Sequence, residues 1–354
     1  MGKKQNSAKN RMSFFKKLLW SVVIIITLST ATMVYRTYQK IFSPNVFLRN
    51  KVSDYVFIPT AATFEEVMNL LYQKGFILNR ASFELLAEQK KFPGNIKAGR
   101  YKIKNGMSNN ELINLLRSGH QTPVNLVFNK LRIKSQLAGK VAKQIEADST
   151  SIMQLISNPN FLRKFDLDTS NVMAIFIPNT YEFFWNTNAE QFFDRMYSEY
   201  QRFWTDARKE KQRKTRLTPI EVIILASIVE EESNKNSEKP TISGVYLNRL
   251  KKQIPLQADP TIKFALGNFE IKRVLKKHLE INSPYNTYKN RGLPPGPICL
   301  PSIATIDAVL NFENHKYLYF CAKDDFSGYH VFANTLQQHN QNATRYQKAL
   351  SKIK

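Results

Sequence analysis

Between Leu217 and Ser233 the chain reads Leu-Thr-Pro-Ile-Glu-Val-Ile-Ile-Leu-Ala-Ser-Ile-Val-Glu-Glu-Glu-Ser, and no other stretch restricts the fold so tightly. Thr218 suits a helix cap and Pro219 the first helical position, and Glu221, three residues after the cap, completes a capping box. Apolar side chains then appear on every side of the helix: Ile220, Val222, Ile223, Ile224, Leu225, Ala226, Ile228 and Val229. A helix greasy all round has to run through a core. Yet it closes on Glu230, Glu231 and Glu232, at the end where the helix dipole disfavours negative charge. At roughly 100° per residue, Glu230 lies over Ile223, Ala226 and Ser227, while Glu231 and Glu232 turn away from that line. This predicts Glu230 at the edge of an apolar pocket, where burial and two like charges raise its pKa and keep it protonated near neutrality, as a general acid requires. The plainer reading of three consecutive glutamates is a solvated, frayed helix end.

A second stretch fixes where the chain resides. From Leu18 to Tyr35 there is no charged residue, and as a helix the run spans about 27 Å, close to the hydrocarbon thickness of a bilayer. Lys3, Lys4, Lys9, Arg11, Lys16 and Lys17 precede it, and Trp20, Tyr35 and Tyr38 stand where interfacial aromatics are expected. Residues 1–17 therefore read as a cytoplasmic basic leader and 18–38 as a single-pass anchor in the cell inner (plasma) membrane, with everything after about Lys40 on the periplasmic or extracytoplasmic side. A signal peptide cleaved near Ser29-Thr30-Ala31 competes with this, but Met33-Val34-Tyr35 prolongs the apolar run beyond a usual signal.

With 354 residues, 43% of them hydrophobic, the chain has room for two modest folded domains. The net charge of +24 calls for an anionic environment or partner. Nucleic acid is the poorest candidate, because the charge is dispersed, no nucleic-acid motif appears and the topology places the domains outside the cytoplasm. Cys299 and Cys321 are the only cysteines, open to pairing or to standing as two buried thiols. The five histidines show no ligand spacing, so neither a metal nor another cofactor is expected.

Along residues 45–148 a small β-α unit recurs. Tyr55 to Ile58 reads as a strand before a helix from Thr63-Phe-Glu-Glu66 to Gly75, and Tyr101 to Ile103 as a strand before a helix from Ser108-Asn-Asn-Glu111 to Gly119. A third pair follows, Val124 to Phe128 and then Ile133, Leu137, Val141 and Ile145. Such repeats suit an antiparallel sheet with helices on one face, and the chain as a whole an α+β class. Residues 149–354 form the second domain. There a helical pattern spans Ser149 to Phe165, and Ala174 to Phe184 reads as strand, Pro-Asn turn and strand. An amphipathic helix follows from about Ala189 to Arg208, its aromatics belonging to a core, and Lys209 to Arg216 reads as a basic connector loop. Beyond Glu232 come a helix near Pro240 with Val245 and Tyr246 in its buried stripe, then Asp259 as cap of a short helix opened by Pro260. A proline-stiffened loop with Tyr285, Asn286 and Tyr288 leads to a helix from Pro301 to Val309, two strands, and a last helix with His339.

Several of these segments, in this order, resemble the endolytic murein transglycosylases of the MltG/YceG-like type: Leu225-Ala-Ser-Ile-Val-Glu230-Glu-Glu-Ser233, Asn248-Arg249-Leu250, Leu256-Gln-Ala-Asp-Pro-Thr261, Ser283-Pro-Tyr-Asn-Thr-Tyr288, Gly292-Leu-Pro-Pro-Gly296 and Tyr317-Leu-Tyr-Phe320. Phe176-Ile-Pro-Asn-Thr-Tyr181 is similar to the family's Phe-Pro-Asp-Thr-Tyr signature, with Asn179 in place of the acid. The resemblance implies a LysM-like character for the repeat region and a lyase that cuts the MurNAc–GlcNAc bond of nascent peptidoglycan strands, leaving 1,6-anhydro-MurNAc ends. It implies Glu230 as the catalytic acid and then base, and Gln257, Asp259, Tyr285, Asn286, Tyr288 and Glu232 along the sugar-binding cleft. It implies the membrane and peptidoglycan as partners, with wall-synthesising polymerases (penicillin-binding proteins) alongside. The alternative is a non-catalytic, membrane-anchored peptidoglycan-binding or scaffold protein in which Glu230 is structural.

Overall fold

A computed structural model describes residues 2–352. It divides the chain into two compact units, one of residues 2–123 with 184–186 and one of residues 124–183 with 187–352. The division falls between Pro123 and Val124, whereas the sequence reading puts it at residue 148.

The smaller unit begins with helix α1 (Gly2–Phe42), whose segment Phe14–Phe42 is long and apolar enough to cross a membrane and is not buried against the protein in its most apolar window. Three of its hydroxyls bond back into the helix: Thr27 donates to Val23 O, Thr30 to Ile26 O and Thr32 to Leu28 O at 2.7–2.8 Å. Such bonds satisfy a hydroxyl donor without water. The remainder is β1 (Ser53–Ile58), α2 (Phe64–Gln73), α3 (Arg80–Gln89), β2 (Gly99–Lys104) and α4 (Asn109–Ser118). β1 and β2 pair antiparallel, Ser53 opposite Lys104 and Ile58 opposite Gly99. Both expected capping boxes form, Thr63 with Glu66 and Ser108 with Glu111, and Gly119 ends α4 in the left-handed conformation at φ 74°. Helix α3, capped by Asn79, is an element that the repeated capping-box pattern does not announce. Val56, Ile58, Leu71, Phe83, Ile103 and Leu112 form the core of this unit.

The third expected β-α pair does not extend that sheet. Its strand β3 (Val124–Val127) pairs antiparallel with β4 (Thr180–Phe183) in the larger unit, and α5 (Lys134–Ala142) belongs there too. Aromatic packing accounts for the choice: the ring of Phe128, just past β3, lies 5.7 Å from Tyr181 and 6.3 Å from both Phe176 and Phe192. The strand expected at Ala174–Phe176 is instead a 3-10 turn over Val172–Ile175.

After α6 (Ser149–Ile156) and the short α7 (Pro159–Leu162), α8 (Ala189–Phe203) buries Phe192, Phe193, Met196 and Tyr200, as its periodicity predicts for core. The helix does not run on to Arg208. Thr205 caps a separate α9 (Asp206–Thr215), so the basic stretch expected as a loop is helical. Helix α10 (Pro219–Glu232) has the predicted capping box and buries every residue from Val222 to Val229. It packs on α11 (Lys239–Lys251) and on α13 (Ile303–Leu310), while α12 (Asp259–Ala265) lies beside it. A hairpin of β5 (Tyr319–Ala322) and β6 (His330–Ala333) and the final helix α14 (Leu336–Ser351) complete the unit. Cys299 and Cys321 are free thiols; burial pushes the Cys299 thiol well above its ordinary pKa, and its sulfur donates to Ser227 O.

Candidate active site

The three carboxylates that end α10 diverge, and each has its own partners. Glu230 turns toward α11 and α13. Its Oε2 accepts from Lys239 Nζ at 3.1 Å, from Ser302 Oγ at 2.9 Å and from Thr305 Oγ1. Burial pushes its pKa up, but the bonds from Thr305 and Lys239, the lysine charge and the Ser302 bond outweigh it and hold the carboxyl below its ordinary value. Helix geometry alone points to a protonated Glu230; the direction here is the opposite, because a cation reaches it from another helix. Glu231 pairs with Lys130 at 2.9 Å and Arg132 at 3.2 Å.

Among the described residues, Glu232 alone of the three makes no ion pair. Its Oε1 accepts from Tyr246 Oη at 2.6 Å. Burial lifts its pKa from the ordinary 4.5 to about 7, the Asp259 charge adds to the rise, and the Tyr246 bond, Lys263 and Arg249 oppose it. It lines a cavity of about 390 Å³ together with Tyr246, Arg249, Gln257, Asp259 and Tyr288. A carboxyl poised between acid and base at neutral pH is thus set in the wall of a pocket.

The rest of that wall is held by a buried arginine. Arg249 donates to Leu318 O at 2.6 Å, Leu256 O at 2.8 Å, Pro255 O at 3.1 Å and Gln257 Oε1 at 3.2 Å, so one side chain joins α11, the following loop and the approach to β5. Gln257 adopts a left-handed φ of 53°, a conformation rare for a side chain of its kind, and its N–H donates to Thr287 O at 3.0 Å. Thr287, itself buried, accepts from Ala258 N and bonds Thr261, which docks the tyrosine loop onto the start of α12. Tyr288 donates to Asp259 Oδ1. Asp259 is the first residue of α12 rather than its cap; Ala258 holds the cap position without a side-chain bond.

Of the residues expected along the cleft, Glu232, Gln257, Asp259 and Tyr288 come together and Tyr285 and Asn286 do not. Asn286 is fully buried, and its amide donates to Leu279 O and Ile281 O while its carbonyl oxygen accepts from Tyr288 N, so it shapes the loop from within. Tyr285 packs its ring 4.7 Å from Phe264. Sequence reasoning missed Tyr246, Arg249 and His339 as members of the wall. Tyr246 was hidden in an apolar stripe; a polar hydroxyl in such a stripe, one helix away from three carboxylates, is the signal that finds it. Among the described residues no three His, Cys, Asp or Glu side chains gather to hold a metal ion.

The profile of the YceG-like family matches residues 56–345, a span that includes both halves of this wall. The chain belongs to the YceG-like family. It is 29% identical over 305 residues to the endolytic murein transglycosylase of Bacillus subtilis, covering 82% of this chain and 83% of that protein. It is 28% identical over 319 residues to the endolytic murein transglycosylase of Streptococcus pneumoniae D39, covering 82% of this chain and 57% of that protein. A YceG-like protein of Listeria monocytogenes, known from a 2.6 Å crystal structure, shares the fold with a TM-score of 0.54 and 28% identity over 82% of this chain and 99% of that one.

Proposed function

We propose that this YceG-like protein is an endolytic murein transglycosylase that cuts the MurNAc–GlcNAc bond of peptidoglycan strands, with Glu232 as acid and then base. The observation that carries the reading is the Glu232 carboxyl itself, lifted by burial to about 7 in the wall of a cavity. The relatives' names supply the substrate class. Glycosidases that use water or an enzyme nucleophile need two carboxyls across the bond. One suffices where the sugar brings its own nucleophile. Protonated Glu232 gives its proton to the glycosidic oxygen, the bond from C1 of MurNAc to that oxygen breaks, and the new carboxylate faces the oxocarbenium-like C1. The same carboxylate removes the proton from the C6 hydroxyl as O6 bonds to C1. The proton count closes with no water consumed, and the product ends in a 1,6-anhydro ring. A pKa near the working pH serves both halves of that cycle. The ion pair of Glu230 with Lys239 favours its ionised form, which supports placing the acid–base role two residues on.

The order β1-α2-α3-β2 with an antiparallel pair supports a LysM-like, glycan-binding reading of the smaller unit. The apolar α1 and its basic leader support a single-pass anchor with the N-terminus in the cytoplasm and both units outside, where nascent strands leave wall-synthesising polymerases. The test is product chemistry. Purified protein incubated with uncrosslinked glycan strands releases fragments whose MurNAc ends are one water lighter than reducing ends by mass. Glu232→Gln lowers their formation about 10²- to 10⁴-fold, the range for loss of a general acid–base group. Reducing ends from the wild type, or undiminished anhydro ends from Glu232→Gln, contradict the proposal.

A further inference from the structure

The proposed reaction leaves one buried charge pair at the end of α10 unused. Lys239 is 4% exposed. Its Nζ donates to Glu230 Oε2 at 3.1 Å and to Thr305 Oγ1 at 2.7 Å, and Ser302 Oγ donates to the same carboxylate oxygen at 2.9 Å. Ser302 also caps α13, its Oγ accepting from Thr305 N. One closed ring of side chains therefore ties the last turn of α10 to the first turns of α11 and α13. Glu232 stands two positions beyond Glu230 on that last turn. Its hydrogen-bond partner Tyr246 stands on the helix that Lys239 opens, about 10 Å further along the axis.

We propose that Glu230 and Lys239 are positioning residues: their buried pair, closed by Ser302 and Thr305, sets the separation of α10 and α11 at which Tyr246 reaches Glu232. The inference rests on Glu232 being the reacting carboxyl. Stability alone is a poor reason for the pair, since two buried charges cost desolvation that an apolar pair of similar volume avoids. Three acidic side chains at a helix C-terminus also favour fraying, and the ring anchors the turn against it. The groups that face Glu232 are Tyr246 and Arg249 from α11, Asp259 and Lys263 from α12, and Tyr288 from the loop, with Tyr319 of β5 and His339 of α14 lining the same cavity. Among the described residues only Tyr246 hydrogen-bonds the carboxyl, so a shift between α10 and α11 falls first on that bond.

The experiment measures kcat, KM and the pH profile of anhydro-end formation on uncrosslinked glycan strands, using the full-length protein. Lys239→Met is expected to lower kcat about 10- to 100-fold with KM changed less than about 2-fold, because a small misplacement of a catalytic group costs rate before binding. Its alkaline limb moves to higher pH, the direction also expected of Tyr246→Phe, since both take from Glu232 the bond that favours ionisation. Combined, the two changes are no slower than the slower single variant, because both act on one hydrogen bond. Glu230→Gln/Lys239→Met leaves no unpaired buried charge and so guards against a fold failure; it stays slow, because the tie between the helices is still cut. Recovery of the wild-type rate in that double variant, or losses that multiply when Lys239→Met is joined to Tyr246→Phe, would overturn the positioning role. Activity retained by Glu232→Gln would instead remove the reading beneath it. An inactive Glu232→Gln beside a Lys239→Met protein of wild-type rate removes the positioning role alone.

Discussion

At the scale of single residues, Glu232 keeps its proton at an energetic cost, and the sign of that cost is testable. Its folded pKa of about 7 lies above the ordinary 4.5, so between those values the folded state binds a proton that the unfolded state has lost. Stability contributed by the group therefore declines as pH rises through that window, by about 3 kcal/mol once both states are ionised. Glu232→Gln has no proton to lose. Urea unfolding at pH 8.5 should find the variant about 2–3 kcal/mol more stable than the wild type, and at pH 4 equal to it. Equal stabilities at both pH values would mean that the carboxyl is not desolvated. Glu230 carries the opposite sign: its lowered pKa contributes stability above the ordinary carboxylate range that is lost as pH falls through the folded value. Which glutamate ends beside a cation was not legible in the sequence. Helix periodicity ranks side chains by the face of their own helix, and it placed Glu230 nearest the apolar pocket. What decides the protonation is Lys239, Ser302 and Thr305, which arrive from α11 and α13.

At the scale of elements, local signals were read well and partner choice was not. The capping boxes at Thr63, Ser108 and Thr218 form because they are satisfied within four residues. Strand β3 looked like the third member of a repeat, but only the aromatic cluster around Phe128 says which strand it joins. The long aromatic helix stops at Phe203 because Thr205 caps the next one, whose Arg208 forks onto Asp307 of α13 at 3.0 and 3.1 Å. The proline-rich loop before α13 was expected to be stiff, and its tightest point is Gly296. A Cβ there would stand 1.9 Å from Ser170 O and 2.9 Å from Tyr285 Oη. Gly296→Ala should thus push the loop off residue 170 and destabilise the larger unit by about 1–3 kcal/mol, as overpacking does. Thermal unfolding with no loss of Tm would show that the loop yields freely.

At the scale of the whole molecule, the apolar helix is the feature that length and hydropathy single out. Positive charge before the helix and its apolar length were both legible, since both are written in the sequence without reference to tertiary contacts. Deleting residues 2–38 is expected to release a protein that stays in the aqueous phase without detergent and cuts uncrosslinked strands with an unchanged pH profile. Continued sedimentation with lipid vesicles would contradict the anchor. The most direct test of the account as a whole is a ¹³C NMR titration of glutamate side-chain carboxyls in the folded protein, with the resonance of residue 232 assigned by its absence in Glu232→Gln. This resonance is expected to move with a midpoint near pH 7, while Glu230 stays ionised to below pH 4.5. A midpoint near 4.5 for Glu232, with a near-neutral midpoint at Glu230, would contradict it.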